Sequence, residues 1–413
     1  MRAAAFLAIA SAAIPAAAFG QIPPSEALSA TDSRLFHQEL QRVEGQLETA
    51  GDKCTVMYAL ARTWASGGQY REALETLKKV AALRVGLDPS RDEFFAKLRG
   101  TNEFEQLLKQ IREDNPPVFT SHLAFTIPEA DLFPEGIAYD PVRNQFFLGS
   151  TFKHKIIRCT RAGVCRPLVK DAQDGLDQVL GLKVDPKDGT VWAASNRDAE
   201  SGLFHYTVPS GNLMGKYTLS RRSGRHLFND LAINSSGDVF VTDTQAGTVY
   251  WVSRATDHLE VFDPRLKVTA ANGIAISSDG RKLYVAGFPD GITVVDLAAR
   301  SFRAMEHPAG LCLATIDGLA FSNGDLIAIQ NGIMANRVVR YRLSRNLNAI
   351  EGFDVLERGN PLFDGITTGA AGNGKFYFMA NTQLDKVVDG KITPGVKLNP
   401  IKILETPLPT ARR

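Results

Sequence analysis

The 413-residue chain lacks charge of either sign in excess. It has 47 Lys and Arg against 45 Asp and Glu, a formal net charge of +2. The basic surplus of a nucleic-acid-binding domain is missing, and no basic tract or aromatic-basic stripe replaces it, so nucleic acid and anionic membranes are excluded as expected partners. Beyond the first twenty residues no apolar run approaches the about 20 residues needed to cross a bilayer. Cysteine is scarce: Cys54, Cys159, Cys165 and Cys312, at spacings that do not suggest a cysteine metal site.

What is present begins with an export pattern. Arg2 is followed by the apolar run Ala3 to Ala18 and by small residues at Ala16, Ala17, Ala18 and Gly20. Residues 1–20 read as a secretory signal peptide, which places the protein in the periplasm or outside the cell. No Cys stands at the cleavage point, so a lipid anchor is not indicated, and no membrane span remains after cleavage. Export permits disulfides. Cys159 and Cys165 flank Thr-Arg-Ala-Gly-Val and are expected to pair across a hairpin, whereas for Cys54 and Cys312 the sequence offers buried free thiols as one reading and leaves their pairing open.

Residues 24–115 read as a small all-α domain. Leu35, Leu40, Val43 and Leu47 recur at helical spacing after the candidate caps Thr31, Asp32 and Ser33. Further helices are predicted over 52–65, over 70–83, around Phe94 and over 104–111, and Asn115-Pro116-Pro117 ends the run. The stretch from Tyr58 through Gly67-Gly68-Gln69-Tyr70 to Leu74 resembles one tetratricopeptide repeat, which implies either a groove for a protein partner or a hairpin packed on the rest of the chain.

Residues 118–408 change to short strands and repeat six times, roughly 43 to 49 residues apart, the length of a four-stranded propeller blade. The copies begin Glu135-Gly-Ile-Ala, Leu180-Gly-Leu-Lys, Asn229-Asp-Leu-Ala, Asn272-Gly-Ile-Ala, Asp317-Gly-Leu-Ala and Asp364-Gly-Ile-Thr. The fold class is therefore an all-β six-bladed β-propeller preceded by a small helical domain. Leu123–Thr126 and Ile401–Leu404 compete to close the last blade.

The first strand of each blade lines a propeller's central channel. The repeat thus brings Glu135, Leu180, Asn229, Asn272, Asp317 and Asp364 to one end of it. Five of the six carry oxygen and three are carboxylates. Like charges held together need compensation, and an all-oxygen set without His favours Ca²⁺, then Mg²⁺ or Mn²⁺, over Zn²⁺.

On these motifs the propeller resembles the senescence-marker-protein/gluconolactonase family and is similar to paraoxonases and calcium-dependent phosphotriesterases. The resemblance implies a calcium ion held by Glu135, Asn229, Asn272 and Asp317, with Asn229 also contacting substrate and Asp317 acting as general base. Asp364 is a second candidate base. The sugar-contacting Arg of the gluconolactonase pattern is replaced by Leu227, which makes a more apolar lactone or ester an alternative to a sugar-acid lactone. The paraoxonase His dyad is absent, and Asp364 stands where the phosphotriesterases have a His. His226, three residues before Asn229, is a candidate substrate contact at the channel mouth. The implied activity is calcium-dependent hydrolysis of a lactone or related ester. The alternatives are a non-catalytic binding or scaffold module and a purely structural calcium.

Overall fold

The computed structural model describes residues 30–49, 53–198, 200–308 and 310–410. The leader read over residues 1–20 lies outside them. Four helices come first: α1 (Ala30–Thr49), α2 (Lys53–Ser66), α3 (Tyr70–Ala82) and α4 (Asn102–Asp114). In α4 the apolar residues Phe104, Leu107, Leu108 and Ile111 fall on one stripe and are all buried, the spacing that turns one helix face to a core. α2 stops where Gly67 must be glycine: a β-carbon there would lie 2.3 Å from the Phe36 ring of α1. The α2–α3 hairpin is present, but as a single hairpin it does not establish a tetratricopeptide repeat.

One predicted helix is replaced. Around Phe94 the chain forms two 3₁₀ turns, Pro89–Arg91 and Glu93–Leu98. The Asp88 carboxylate accepts from the Ser90 N–H and the Asp92 carboxylate from the Phe94 N–H. Two caps four residues apart restart the chain with Asp92 extended, so no α-helix propagates through it.

The helical segment shares a core with the propeller. Leu77, Phe95 and Phe104 pack in one cluster with Phe288, Ile333 and Met334 of blades 4 and 5. Main-chain bonds tie the two: Asp88 N–H to Ile333 O at 2.8 Å and Ala335 N–H to Gly86 O at 3.0 Å. Cys54 on α2 and Cys312 are bonded to each other. Both are buried as expected, but neither is free, because docking of α2 brings their Cα atoms to 6.0 Å. Cys159 and Cys165 also pair, across the outer hairpin of blade 1. The Cys54–Cys312 bridge spans a separation of 258 residues. Replacing both by Ser is expected to cost about 3–5 kcal/mol of stability in denaturant unfolding, more than losing the short Cys159–Cys165 loop.

Six antiparallel sheets form the propeller, each with its inner strand first. Inner strands are Ile137–Asp140, Gln178–Val184, Phe228–Ile233, Ile274–Ile276, Ile316–Ser322 and Gly369–Gly372, in blades 1 to 6. The two candidates for closing the ring both take part. Blade 6 runs Gly369–Gly372, Lys375–Met379, Ile401–Pro407, His122–Ile127, so the C-terminal strand is third and the early strand is outermost, with Thr126 opposite Lys402. Val118–Phe119 adds a fifth strand to blade 5, Val118 opposite Arg358. Successive blades bury separate apolar layers, such as Phe147, Leu182 and Phe204 between blades 1 and 2.

Candidate functional site

The ring at the channel end is built by close backbone contact. A β-carbon on Gly136 would lie 2.0 Å from the Leu180 carbonyl oxygen, one on Gly181 2.5 Å from that of Asn229, one on Gly273 2.7 Å from that of Asp317, and one on Gly318 2.8 Å from that of Thr367. Only glycine allows these four inner strands to lie so near the next. Between blades 3 and 4 the Thr242 hydroxyl, itself 3.1 Å from the Asp230 N–H, donates to the Asn272 carbonyl at 2.8 Å. Blade 6 returns to blade 1 through the Thr367 and Thr368 hydroxyls, which donate to the Glu135 carbonyl at 2.7 and 2.9 Å.

That circuit corrects one residue. The sixth ring position belongs to Thr367, not Asp364. Glu135 and Asn272 each stand two residues before their strands, as Thr367 does before Gly369, whereas Asp364 stands five before. Asp364 is instead on the approach loop, its carboxylate 2.5 Å from Lys386 Nζ. The second candidate base is therefore an ion-paired carboxylate on the cleft wall outside the ring.

Glu135, Asn229, Asn272 and Asp317 are brought together as expected, and their oxygens lack partners. Glu135 is 1% exposed, yet neither carboxylate oxygen has a hydrogen-bond donor. The amide nitrogens of the two asparagines are used: Asn229 Nδ2 donates to Thr244 Oγ1 at 3.1 Å and Asn272 Nδ2 to Asp317 Oδ1 at 3.0 Å. Their amide oxygens are buried and unpartnered. Asp230, not singled out by the sequence reading, adds a fourth residue with an orphaned buried oxygen, Oδ2. Buried polar atoms ordinarily find partners, so several orphaned oxygens at one place fit a hard cation. Among the described residues no group of three or more His, Cys, Asp or Glu is placed to hold a metal; the donor set here is mixed carboxylate and amide.

Electrostatics agree with that strain. Burial first, then the Asp317 and Asp230 charges, raise the Glu135 carboxyl well above the ordinary range. Burial raises Asp317 to about 7, against the opposing hydrogen bonds from Asn331 and Asn272. Asn331 is a second residue the sequence reading missed. Its Nδ2 donates to Asp317 Oδ2 at 2.5 Å and to Ile366 O at 2.9 Å, so it orients the carboxylate from the neighbouring strand.

His226 does not join the ring. Its Nδ1 is 2.6 Å from Asp243 Oδ2, its Nε2 is 3.1 Å from Ser223 Oγ, and its ring meets Tyr250 edge-on. The line Ser223–His226–Asp243 has the composition of a hydrolytic triad. However, the Ser223 hydroxyl lies 2.5 Å from the Ser220 carbonyl oxygen and donates there. The histidine pins the loop into blade 3, and its role as a substrate contact is not supported.

A cleft of about 510 Å³ lies beside the ring. Arg91 and Asp92 of the helical segment face Asn331, Asn336, Asn360 and Thr367 of the propeller across it. The helical segment therefore forms one wall of a cleft that also holds Asn331, the partner of Asp317. Arg62 is spent on Asp92, at 2.6 Å, and Arg91 is exposed.

Solved structures with a similar fold are known. A calcium-binding protein, regucalcin, from Agrobacterium tumefaciens superposes with a TM-score of 0.50 at 17% identity, over 71% of this chain and 97% of that one. A gluconolactonase from Xanthomonas campestris gives 0.48 at 16%, over 69% and 89%, and virginiamycin B lyase from Staphylococcus aureus 0.48 at 14%, over 70% and 98%. At 17% identity the likeness to regucalcin bears on the fold alone. No protein-family model and no curated sequence matches the chain.

Proposed function

We propose that the protein is a calcium-dependent hydrolase of a lactone or related ester. The observation that carries this reading is the set of buried, unpartnered oxygens on Glu135, Asn229 and Asn272 beside Asp317. These four residues would hold the ion. A divalent cation there supplies Lewis acidity toward a carbonyl oxygen. Asp317 is the chain's proton acceptor, and the amide hydrogens of Asn272 and Asn331 keep it from rotating. Asn229 carries a dipole without a charge and orients what enters from the cleft. The cleft wall offers Arg91, Asn336 and Asn360 as polar contacts, which suits an oxygen-rich substrate despite the buried Leu227.

We also propose that the protein works in the periplasm or outside the cell; the pairing of all four cysteines supports this, because such bridges persist in oxidising compartments. The test is metal analysis of the purified protein with hydrolysis of lactones and aryl esters, with and without chelator. Bound calcium with chelator-sensitive turnover is the expected result. Full turnover after chelation ends the proposal. Bound calcium that changes only the melting temperature assigns the ion a structural part.

A further inference from the structure

Two tiers of inner-strand residues lie behind the ring, and each has a single charged member. One residue past the ring position stand Gly136, Gly181, Asp230, Gly273, Gly318 and Thr368. Three residues past it stand Ala138, Lys183, Ala232, Ala275, Ala320 and Ala370. Small residues keep the channel open in both tiers, and the second tier faces a cavity of about 550 Å³ at the far end. The charged members are Asp230 in blade 3 and Lys183 in blade 2. They are neighbours across the blade boundary and they bond: Lys183 Nζ to Asp230 Oδ1 at 2.8 Å. Asp230 is 1% exposed, and a β-carbon at Gly181 would lie 3.0 Å from its Oδ1, so the glycine makes room for the carboxylate.

We propose that Lys183 is a resident cation of the channel, which balances Asp230 and thereby sets how tightly the ring binds one divalent ion. This rests on the reading of the ring as a metal site. Glu135, Asp230 and Asp317 bring three negative charges into a buried space and Lys183 one positive charge. Two negative charges are left, the complement of a single dication. A fixed positive charge beside a cation site weakens that site, and at an effective dielectric constant of about 20 the effect over several ångströms exceeds a factor of ten. Lys183 is thus a positioning residue in electrostatic terms, touching neither substrate nor ion.

The test is a charge cycle read by calorimetric titration of the full-length, chelator-stripped protein with calcium chloride. Lys183→Met is expected to bind calcium at least about 10-fold more tightly. Asp230→Asn is expected to bind it at least about 10-fold more weakly. The double variant restores the net charge and is expected to lie within about threefold of the wild type. If Lys183→Met alone does not fold, because it leaves Asp230 buried without a counter-charge, the wild type, Asp230→Asn and the double variant still decide the matter. A double variant as weak as Asp230→Asn overturns the proposal, because Asp230 is then a ligand in its own right. So does a Lys183→Met protein with wild-type affinity. A wild type that binds none of calcium, magnesium or manganese removes the metal reading itself, and the charge balance with it.

Discussion

Glu135→Gln is expected to lower calcium affinity at least about 100-fold while making the chelated protein more stable. The two effects have one cause. Both Glu135 carboxylate oxygens are buried with no donor, and the neighbouring Asp317 and Asp230 charges add to the cost of ionising it. An amide of the same shape removes the charge from that environment, which stabilises the metal-free fold. It also removes one charged ligand, and the loss of a partner from a buried charge cluster is worth about 3–5 kcal/mol, two decades or more in binding. Asp317→Asn would share the loss of affinity but not the gain in stability, because the amide hydrogens of Asn272 and Asn331 already point at that carboxylate and an asparagine offers them one acceptor oxygen in place of two. Calcium titration and thermal unfolding in chelator separate the cases. A Glu135→Gln protein that still binds calcium as the wild type does would show that the ring is not the ion's site.

The metal-free protein is expected to lose stability as pH rises from about 4 to about 7. Asp317 in the folded chain holds its proton up to about 7, against an ordinary 3.8, and Glu135 moves in the same direction. Through that window the folded state binds more protons than the unfolded chain, so stability falls with rising pH. For Asp317 alone the change is about 4 kcal/mol, from roughly three pH units at about 1.4 kcal/mol each. Above that window the contribution has been lost. Saturating calcium should reverse the trend, since the ion stabilises the ionised carboxylates that the empty ring disfavours. Denaturant midpoints between pH 4.5 and 8, with calcium and with chelator, measure both arms. A chelated protein whose midpoint is flat across this range would contradict the electrostatics of the ring.

Much of this site is legible in the repeat. Glu135, Asn229, Asn272 and Asp317 occupy the same place in Gly-Ile-Ala-like copies, and a residue that recurs at one register of a propeller must face the channel. Blade 6 misleads because Asp364-Gly365 imitates the repeated dipeptide. The discriminating signal was the alanine three residues on. Four of the six copies carry it, Asp364-Gly-Ile-Thr does not, and Thr367-Thr-Gly-Ala does. The Asp230–Lys183 pair was visible in the same alignment of copies, as the only charges in two tiers of small residues. The Cys54–Cys312 bridge was not, since it depends on where α2 docks, and no local pattern in either segment encodes that. The Phe94 helix failed for a different reason: apolar spacing there is helical, but Asp88 and Asp92 each offer a cap and win locally.

The final blade has a consequence for how the chain is made. His122–Ile127, its outermost strand, leaves the ribosome near the beginning of the propeller, yet among the described residues its strand partner is Ile401–Pro407, far along the chain. Throughout synthesis the early strand offers unsatisfied amides and carbonyls to any passing edge. Blades 1 to 4 and the four inner strands of blade 5 can pair from consecutive segments, but the circle stays open until the last ones arrive, and contacts of such long separation form late and slowly. A chain interrupted before residue 401 would not be a five-bladed version of this protein. It would be an arc with two sticky ends, and one that could not hold a ring of oxygens around an ion.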